Sequence, residues 1–332
     1  MQKLQLGRNG PFVSAFGLGC MGMSGGYGPA ADKESIATVH AALEAGITMI
    51  DTADFYGMGQ NEMLLREALK GGKRERAFVA VKFGSMRGPD LKILGDDGRP
   101  QAAKNFLAYS LRRLGTDYVD LYQPSRVDPQ VPIEDTIGAI ADMVRAGYVR
   151  HIGVSEASAK TVRRAHTVHP IAALQIEYSL FSRGVERNIL PTLRELGIAL
   201  VAYGVLSGGL ISDHAQAAKN AVSEIRTRKP RFSGENFAKN LALVEALGKI
   251  ARERGASTAQ LAFAWVKSRG DDVVPLIGAR RRDQLQDALG ALAITLSPGD
   301  LARIERAVPP GAVAGTRYQP AVLAHMDSEH AG

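Results

Sequence analysis

Asp51-Thr52-Ala53-Asp54-Phe55-Tyr56-Gly57 follows the apolar run Ile47 to Ile50 and precedes a helical pattern that opens near Gln60. A short apolar run that stops at an acidic residue, followed by Tyr, Gly and a helix, predicts a buried strand ending in a loop. In α/β enzymes that end of a strand is where reacting groups collect. Read alone, Asp51 is also a good capping or turn residue and Tyr56 also a good surface aromatic. The neighbouring segments decide between these readings.

A second run, Phe78-Val79-Ala80-Val81, ends in Lys82-Phe83-Gly84 about one βα unit later. On neighbouring parallel strands Asp51 and Lys82 would stand side by side, with Tyr56 on the loop above. An ammonium there favours the phenolate of a tyrosine whose unperturbed pKa is about 10, and the carboxylate holds the ammonium in place. The trio is expected to donate a proton to a carbonyl oxygen.

Further strand candidates continue this rhythm in both directions, ending near Gly19, Asp51, Lys82, Tyr122, Val154, Ile176, Tyr203 and Ile277. Helical patterns cover 33–45, 60–70, 101–114, 133–146, 159–169, 186–196 and 236–254, then 282–289 and 298–307. Eight β-then-α units without a tight turn between main-body strands predict a parallel sheet. The number eight predicts a single closed (β/α)8 TIM barrel spanning residues 1–332. A doubly wound sheet is the alternative, but it calls for GxGxxG after the first strand. Gly17-Leu18-Gly19-Cys20-Met21-Gly22-Met23 spaces its glycines otherwise and opens no helix. Asn9-Gly10 between two short strand-like runs predicts an N-terminal β-hairpin cap over residues 1–14. Residues 84–99 and 204–235 read as long loops and 308–332 as a tail, lengths that usually serve binding.

Composition bounds the function. With 332 residues, 45% hydrophobic and 23% charged, the chain suits one barrel. No stretch approaches ~18 uninterrupted apolar residues and the N-terminus lacks the apolar core of a signal peptide, so a cytoplasmic protein with no membrane partner is expected. Cys20 is the single cysteine, which excludes an intrachain disulfide and a Cys-based metal site. No HExxH spacing exists, and His166 with His169 reads as a solvated helix face, so no metal is expected. The net charge of +7 is scattered, its densest cluster being Arg280-Arg281-Arg282. Nucleic-acid binding needs an extended basic stripe, and a phosphorylated cofactor explains a local cluster better.

The residues then resemble a known family, the aldo-keto reductases, in particular the bacterial and plant branch related to the potassium-channel β subunits. The likeness runs from about Leu4 to Leu289. It includes the Gly17 to Met23 and Asp51 to Gly57 segments, Val81-Lys82-Phe83-Gly84, Tyr118-Val119-Asp120-Leu121-Tyr122 and Arg126-Val127-Asp128-Pro129. It continues through Ile152-Gly153-Val154-Ser155-Glu156, Gln175-Ile176-Glu177-Tyr178-Ser179 and Gly234-Glu235-Asn236-Phe237.

The resemblance implies NADPH-dependent reduction of an aldehyde or ketone, reversible as alcohol oxidation. Tyr56 matches the family's acid, Lys82 and Asp51 its supports. Ser125 stands where relatives carry a histidine, just before Arg126-Val127-Asp128-Pro129. Serine keeps one hydroxyl donor with a shorter reach and leaves room for a bulkier ketone. The other reading of this departure is an NADP-binding sensor with weak catalysis.

Cofactor contacts carry over by position. Ser155 and Gln175 match groups that hold the nicotinamide carboxamide, and Tyr203 matches the ring stacked on the nicotinamide. Gly204, Leu206, Gly208 and Leu210 belong to the loop along the pyrophosphate. Arg280, after Ile277 and Gly278, matches the basic residue at the adenosine 2′-phosphate, while Arg281 and Arg282 read as solvated. Gln284 and Asp287 match positions near the adenine, and Gly19, Cys20, Met21 and Asp51 are also expected against the cofactor. Met23, Phe55, Phe83 and Tyr122 would rim the substrate mouth beside Tyr56 and Ser125.

Overall fold

Alternating side chains along short strands need two buried faces, and the chain supplies both by closing its sheet. The computed structural model describes residues 1–220 and 223–330; the 204–235 segment and the tail each have two residues outside that range. It begins with an antiparallel hairpin, β1 (Lys3–Gln5) and β2 (Phe12–Ser14), in which Leu4 faces Val13. There follow β3 (Gly17–Gly19), α1 (Asp32–Glu44), β4 (Met49–Ala53), α2 (Gln60–Ala68) and β5 (Phe78–Phe83). After a second hairpin, β6 (Ser85–Arg87) and β7 (Ile93–Asp96), come α3 (Pro100–Leu114), β8 (Val119–Pro124), α4 (Ile133–Arg145) and β9 (Val149–Ser155). The next units are α5 (Ala159–Val168), β10 (Ile171–Glu177), α6 (Ile189–Leu196) and β11 (Ala199–Tyr203). The chain continues through α7 (Ala215–Asn220), α8 (Glu224–Thr227), α9 (Gly234–Glu253), α10 (Thr258–Lys267) and β12 (Val273–Ile277). It closes with α11 (Arg282–Leu289), α12 (Pro298–Ala307) and α13 (Pro320–Leu323).

Strands β3, β4, β5, β8, β9, β10, β11 and β12 are parallel and close into a barrel, β12 pairing back onto β3. Inward residues form one core: Met49, Phe78, Ala80, Leu121, Ala173, Val201, Val274 and Leu276 pack with Leu4, Leu6 and Val13 of the first hairpin. That hairpin therefore plugs the N-terminal end of the barrel, leaving the C-terminal end for the site. Outward residues such as Ile50, Val79, Val81, Tyr122 and Ile152 form the second core against the helices. Gly115 and Gly197, both in the left-handed region, end α3 and α6.

Three segments differ from the sequence reading. Residues 84–99 are not a plain loop; β6 and β7 pair antiparallel across them. The 186–196 helix begins only at Ile189, after a 3-10 turn at Gly184–Glu186. Helix α10 is an element that hydrophobic periodicity does not reveal. Thr258, Ala259 and the run Leu261 to Val266 are all buried, so there is no polar face to set a period. Its legible signal is the reciprocal capping box between Ser257 and Gln260. Among the described residues, no helix is long and apolar enough to cross a membrane, and no group of His, Cys, Asp or Glu could hold a metal ion.

Candidate active site

The register of β4 against β5 pairs Asp51 with Ala80 and Ala53 with Lys82, so Asp51 and Lys82 face inward on adjoining strands. The Lys82 ammonium donates to both carboxylate oxygens of Asp51, at 2.6 and 2.7 Å, and each residue is 3% exposed. Gln175 on β10 donates its amide to the second Asp51 oxygen at 2.7 Å. Burial first, with the Arg126 charge adding to it, depresses the Lys82 pKa, and Asp51 opposes it. Tyr56 lies on the loop after β4, its ring centroid 5.1 Å from the Lys82 nitrogen and its edge against Phe55. The hydroxyl pKa of Tyr56 is raised well above the usual 10, first by burial and then by the Asp51 charge. The direction is opposite to the lowering that Lys82 by itself would bring, and it favours the protonated hydroxyl that the expected proton donor requires.

Ser125 follows β8, its N–H donating to Phe83 O at 2.7 Å. Two residues earlier on the same strand face, Gln123 pairs in register with Lys82 and is fully buried. Among the described residues neither amide atom of Gln123 has a hydrogen-bond partner, nor does the Ser155 hydroxyl at the end of β9. Gly153 makes room for this amide; a Cβ there would lie 2.8 Å from Gln123 Oε1.

Tyr203, ending β11, donates its hydroxyl to Glu156 Oε1 at 2.6 Å and shares a 3.1 Å hydrogen bond with Tyr318 of the tail. Glu156 is fully buried and receives Arg317 through two hydrogen bonds of 2.8 and 2.6 Å. Burial works against its charge, but Arg317 holds the carboxyl down at about 2. The tail is thus strapped across the C-terminal end of the barrel.

Tyr56 thus stands above a buried lysine–aspartate pair at the C-terminal end of a parallel barrel. The model of the Aldo/keto reductase family matches residues 15–309. The chain belongs to the aldo/keto reductase family. A probable aldo-keto reductase 1 from Glycine max is 43% identical over 321 residues, covering 96% of this chain and 92% of the relative. The glycerol dehydrogenase of Gluconobacter oxydans superposes with a TM-score of 0.81 at 28% identity, covering 96% of this chain and 98% of that one. A thermostable aldo-keto reductase solved with the inhibitor epalrestat gives 0.72 at 29% identity, covering 92% and 100%.

Against this aldo-keto reductase frame, some expected site residues stand elsewhere. Phe83 and Tyr122 do not rim the mouth. Lys82 and Gln123 face inward, so the next residue on one strand and the preceding residue on the other face outward. Their rings stack at 4.4 Å in the helix-side core, and the Tyr122 hydroxyl donates to Ala103 O at 3.0 Å. Met23 is likewise core, at 1% exposure. Phe55 remains half-buried beside Tyr56, with Arg87 of β6 over its ring at 5.3 Å. Asp287 faces α10, where its carboxylate accepts from Ser257 and Gln260. Leu210 is buried, and so are Cys20 and Ile277, leaving their backbones to approach a ligand. Cys20 N–H donates to Asp51 O at 2.9 Å, fixing β3 against β4 below half-buried Gly19 and Met21.

A nicotinamide dinucleotide fits what remains. Ser155 offers an unpartnered hydroxyl, and Gly204 and Gly208 hold φ of 69° and 74° with half-buried Leu206 between them. Arg281 and Arg282 pair with Asp283 and Glu34, whereas among the described residues the Arg280 guanidinium meets only Gly28 O, at 3.3 Å, beside exposed Gly278. Gln284 accepts the Arg280 N–H and so shapes that loop. Sequence reading missed Gln123, Arg317 and Tyr318. Strand parity was the available signal for Gln123; nothing local marks the tail residues.

Proposed function

We propose that the chain is an NADPH-dependent reductase of aldehyde or ketone carbonyls, acting reversibly on the corresponding alcohols. The observation that carries this reading is Tyr56 standing over the buried Lys82–Asp51 pair. Ser155 and Gln175 would hold the carboxamide, Tyr203 the ring face, the loop of Gly204 and Gly208 the pyrophosphate, and Arg280 the 2′-phosphate. A reduced nicotinamide held there supplies hydride to the carbonyl carbon.

The protein's share is the proton. Tyr56 donates its hydroxyl proton to the carbonyl oxygen, and the nearby Lys82 ammonium stabilises the phenolate left behind. Asp51 keeps that ammonium charged against burial. Ser125 lies on the inward parity of β8 and supplies a hydroxyl where relatives carry histidine, with space for a bulkier ketone. The raised Tyr56 pKa favours the donor form, so carbonyl reduction is the direction supported near neutral pH. Alcohol oxidation needs the phenolate and should climb as pH rises toward and beyond 10.

A panel of small aldehydes and bulky ketones, read by NADPH oxidation, tests the reading. Turnover of at least one carbonyl class supports it. Tight NADPH binding with no turnover of any carbonyl would instead favour the sensor.

A further inference from the structure

Lys229 is 5% exposed and lies just before the 3-10 turn Pro230–Phe232. Lysine is almost never this buried unless its charge is met. Among the described residues its ammonium makes neither a hydrogen bond nor an ion pair; the Tyr318 ring lies 5.0 Å away. The carboxylates around it take other partners, although Glu177 Oε2 accepts no hydrogen bond among the described residues. Glu177 takes Ser182 at 2.8 Å and Arg231 at 3.5 Å, with Arg317 at 3.8 Å, and Glu156 takes Arg317, Tyr203 and Ser328. Of the three buried cations here, Arg231 pairs with Glu177 and Arg317 with Glu156 and with Glu329 at 2.7 Å, whereas Lys229 has no direct carboxylate partner among the described residues. Burial opposes its charge, but Glu177, then Tyr318 and Tyr27, keep the amine more basic than a free lysine.

The stem of Lys229 points along Gly208. Its Cδ lies 3.9 Å from where a Cβ on Gly208 would stand, and Arg226 donates to Gly208 O at 2.8 Å from another side. Gly208 holds φ 74°, and Arg226 and the Lys229 stem reach it from two sides. Backbone N–H groups with a lysine point charge form a phosphate cradle.

We propose that Lys229 is a phosphate-binding residue whose ammonium meets the pyrophosphate of the bound dinucleotide; this rests on the nicotinamide-cofactor reading above. The buried charge is held ready for the ligand, at a distance from Arg280 and the 2′-phosphate it is expected to meet.

The test titrates NADPH and NADH into wild type, Lys229→Met, Lys229→Gln and Arg280→Ala, by intrinsic fluorescence at two salt concentrations. Both neutral variants should weaken NADPH and NADH by the same factor, about tenfold or more, with a shallower salt dependence. Arg280→Ala should weaken NADPH alone. Unchanged Kd values with a lowered thermal midpoint would overturn the proposal, since the amine would then serve Glu177 in the fold. The phosphate could also come from a phosphorylated substrate. Unchanged cofactor Kd with a lost preference for glyceraldehyde 3-phosphate over glyceraldehyde would likewise overturn the pyrophosphate assignment. Wild type binding neither dinucleotide would instead refute the underlying cofactor reading.

Discussion

Lys82 and Asp51, on adjoining strands, form a two-oxygen ion pair inside the barrel, and Gln175 closes the second oxygen from the opposite wall. The pair fixes the Lys82 ammonium beneath Tyr56, and both partners are shielded from solvent at 3% exposure. Removing one partner from such a pair leaves a buried, uncompensated group.

Asp51→Asn is therefore expected to cost about 3–5 kcal/mol of stability in urea unfolding. Burial then drives Lys82 toward its neutral form, and turnover falls. The double variant Asp51→Asn/Lys82→Met should recover part of the stability and none of the turnover. A double variant as unstable as the single one would contradict the pairing.

Arg280→Ala should remove the preference for NADPH over NADH, a factor of about tenfold to hundredfold. Arg281→Ala and Arg282→Ala should leave it, because those guanidinium groups already face Asp283 and Glu34. Fluorescence titration of both cofactors reads the difference.

Asp54 offers a pH signature in stability. Burial first, then the neighbouring Glu62, lifts its carboxyl to about 7, and one oxygen has no partner. A folded-state pKa above the unfolded value means the folded chain holds the proton more tightly. Its contribution is full below about 4 and is lost as pH rises through 7. Asp54→Asn should accordingly stabilise the protein above pH 7, by at most about 4 kcal/mol, and the gain should vanish near pH 4. An equal gain at both pH values would contradict the assignment.

Arg317→Met should release the tail. Glu156 then loses its two arginine hydrogen bonds, and Ser328 and Tyr318 lose the neighbour that aligns them. Hydrogen exchange should speed up across 312–330 while β4 and β5 stay protected. Unchanged exchange in the tail would show that other contacts hold it.

The fold was legible because each strand carried its own stop signal: Asp51, Lys82 and Tyr203 end apolar runs, and the count of eight sets the closure. Parity was legible in principle. Placing Lys82 inside obliges Phe83 to face outward, and reading substrate contacts from proximity in sequence ignored that alternation. Helix α10 hid because a helix buried on nearly every side has no amphipathic period. The tail partners of Glu156 lie 161 to 172 residues away, and Lys229 meets Tyr318 in the tail; no local pattern encodes contacts of that range. Ser125 is marked in the sequence only by its place directly before Arg126.

The most direct measurement is single-turnover oxidation of bound NADPH by a reactive carbonyl in wild type, Tyr56→Phe and Ser125→Ala. Tyr56→Phe should bind NADPH as wild type does and lose about 10²- to 10⁴-fold in the chemical step, because it removes only a proton donor. Ser125→Ala should lose less, on the order of 1–2 kcal/mol for one neutral hydrogen bond. Wild-type turnover by Tyr56→Phe would contradict the account, since the proton would then come from another group.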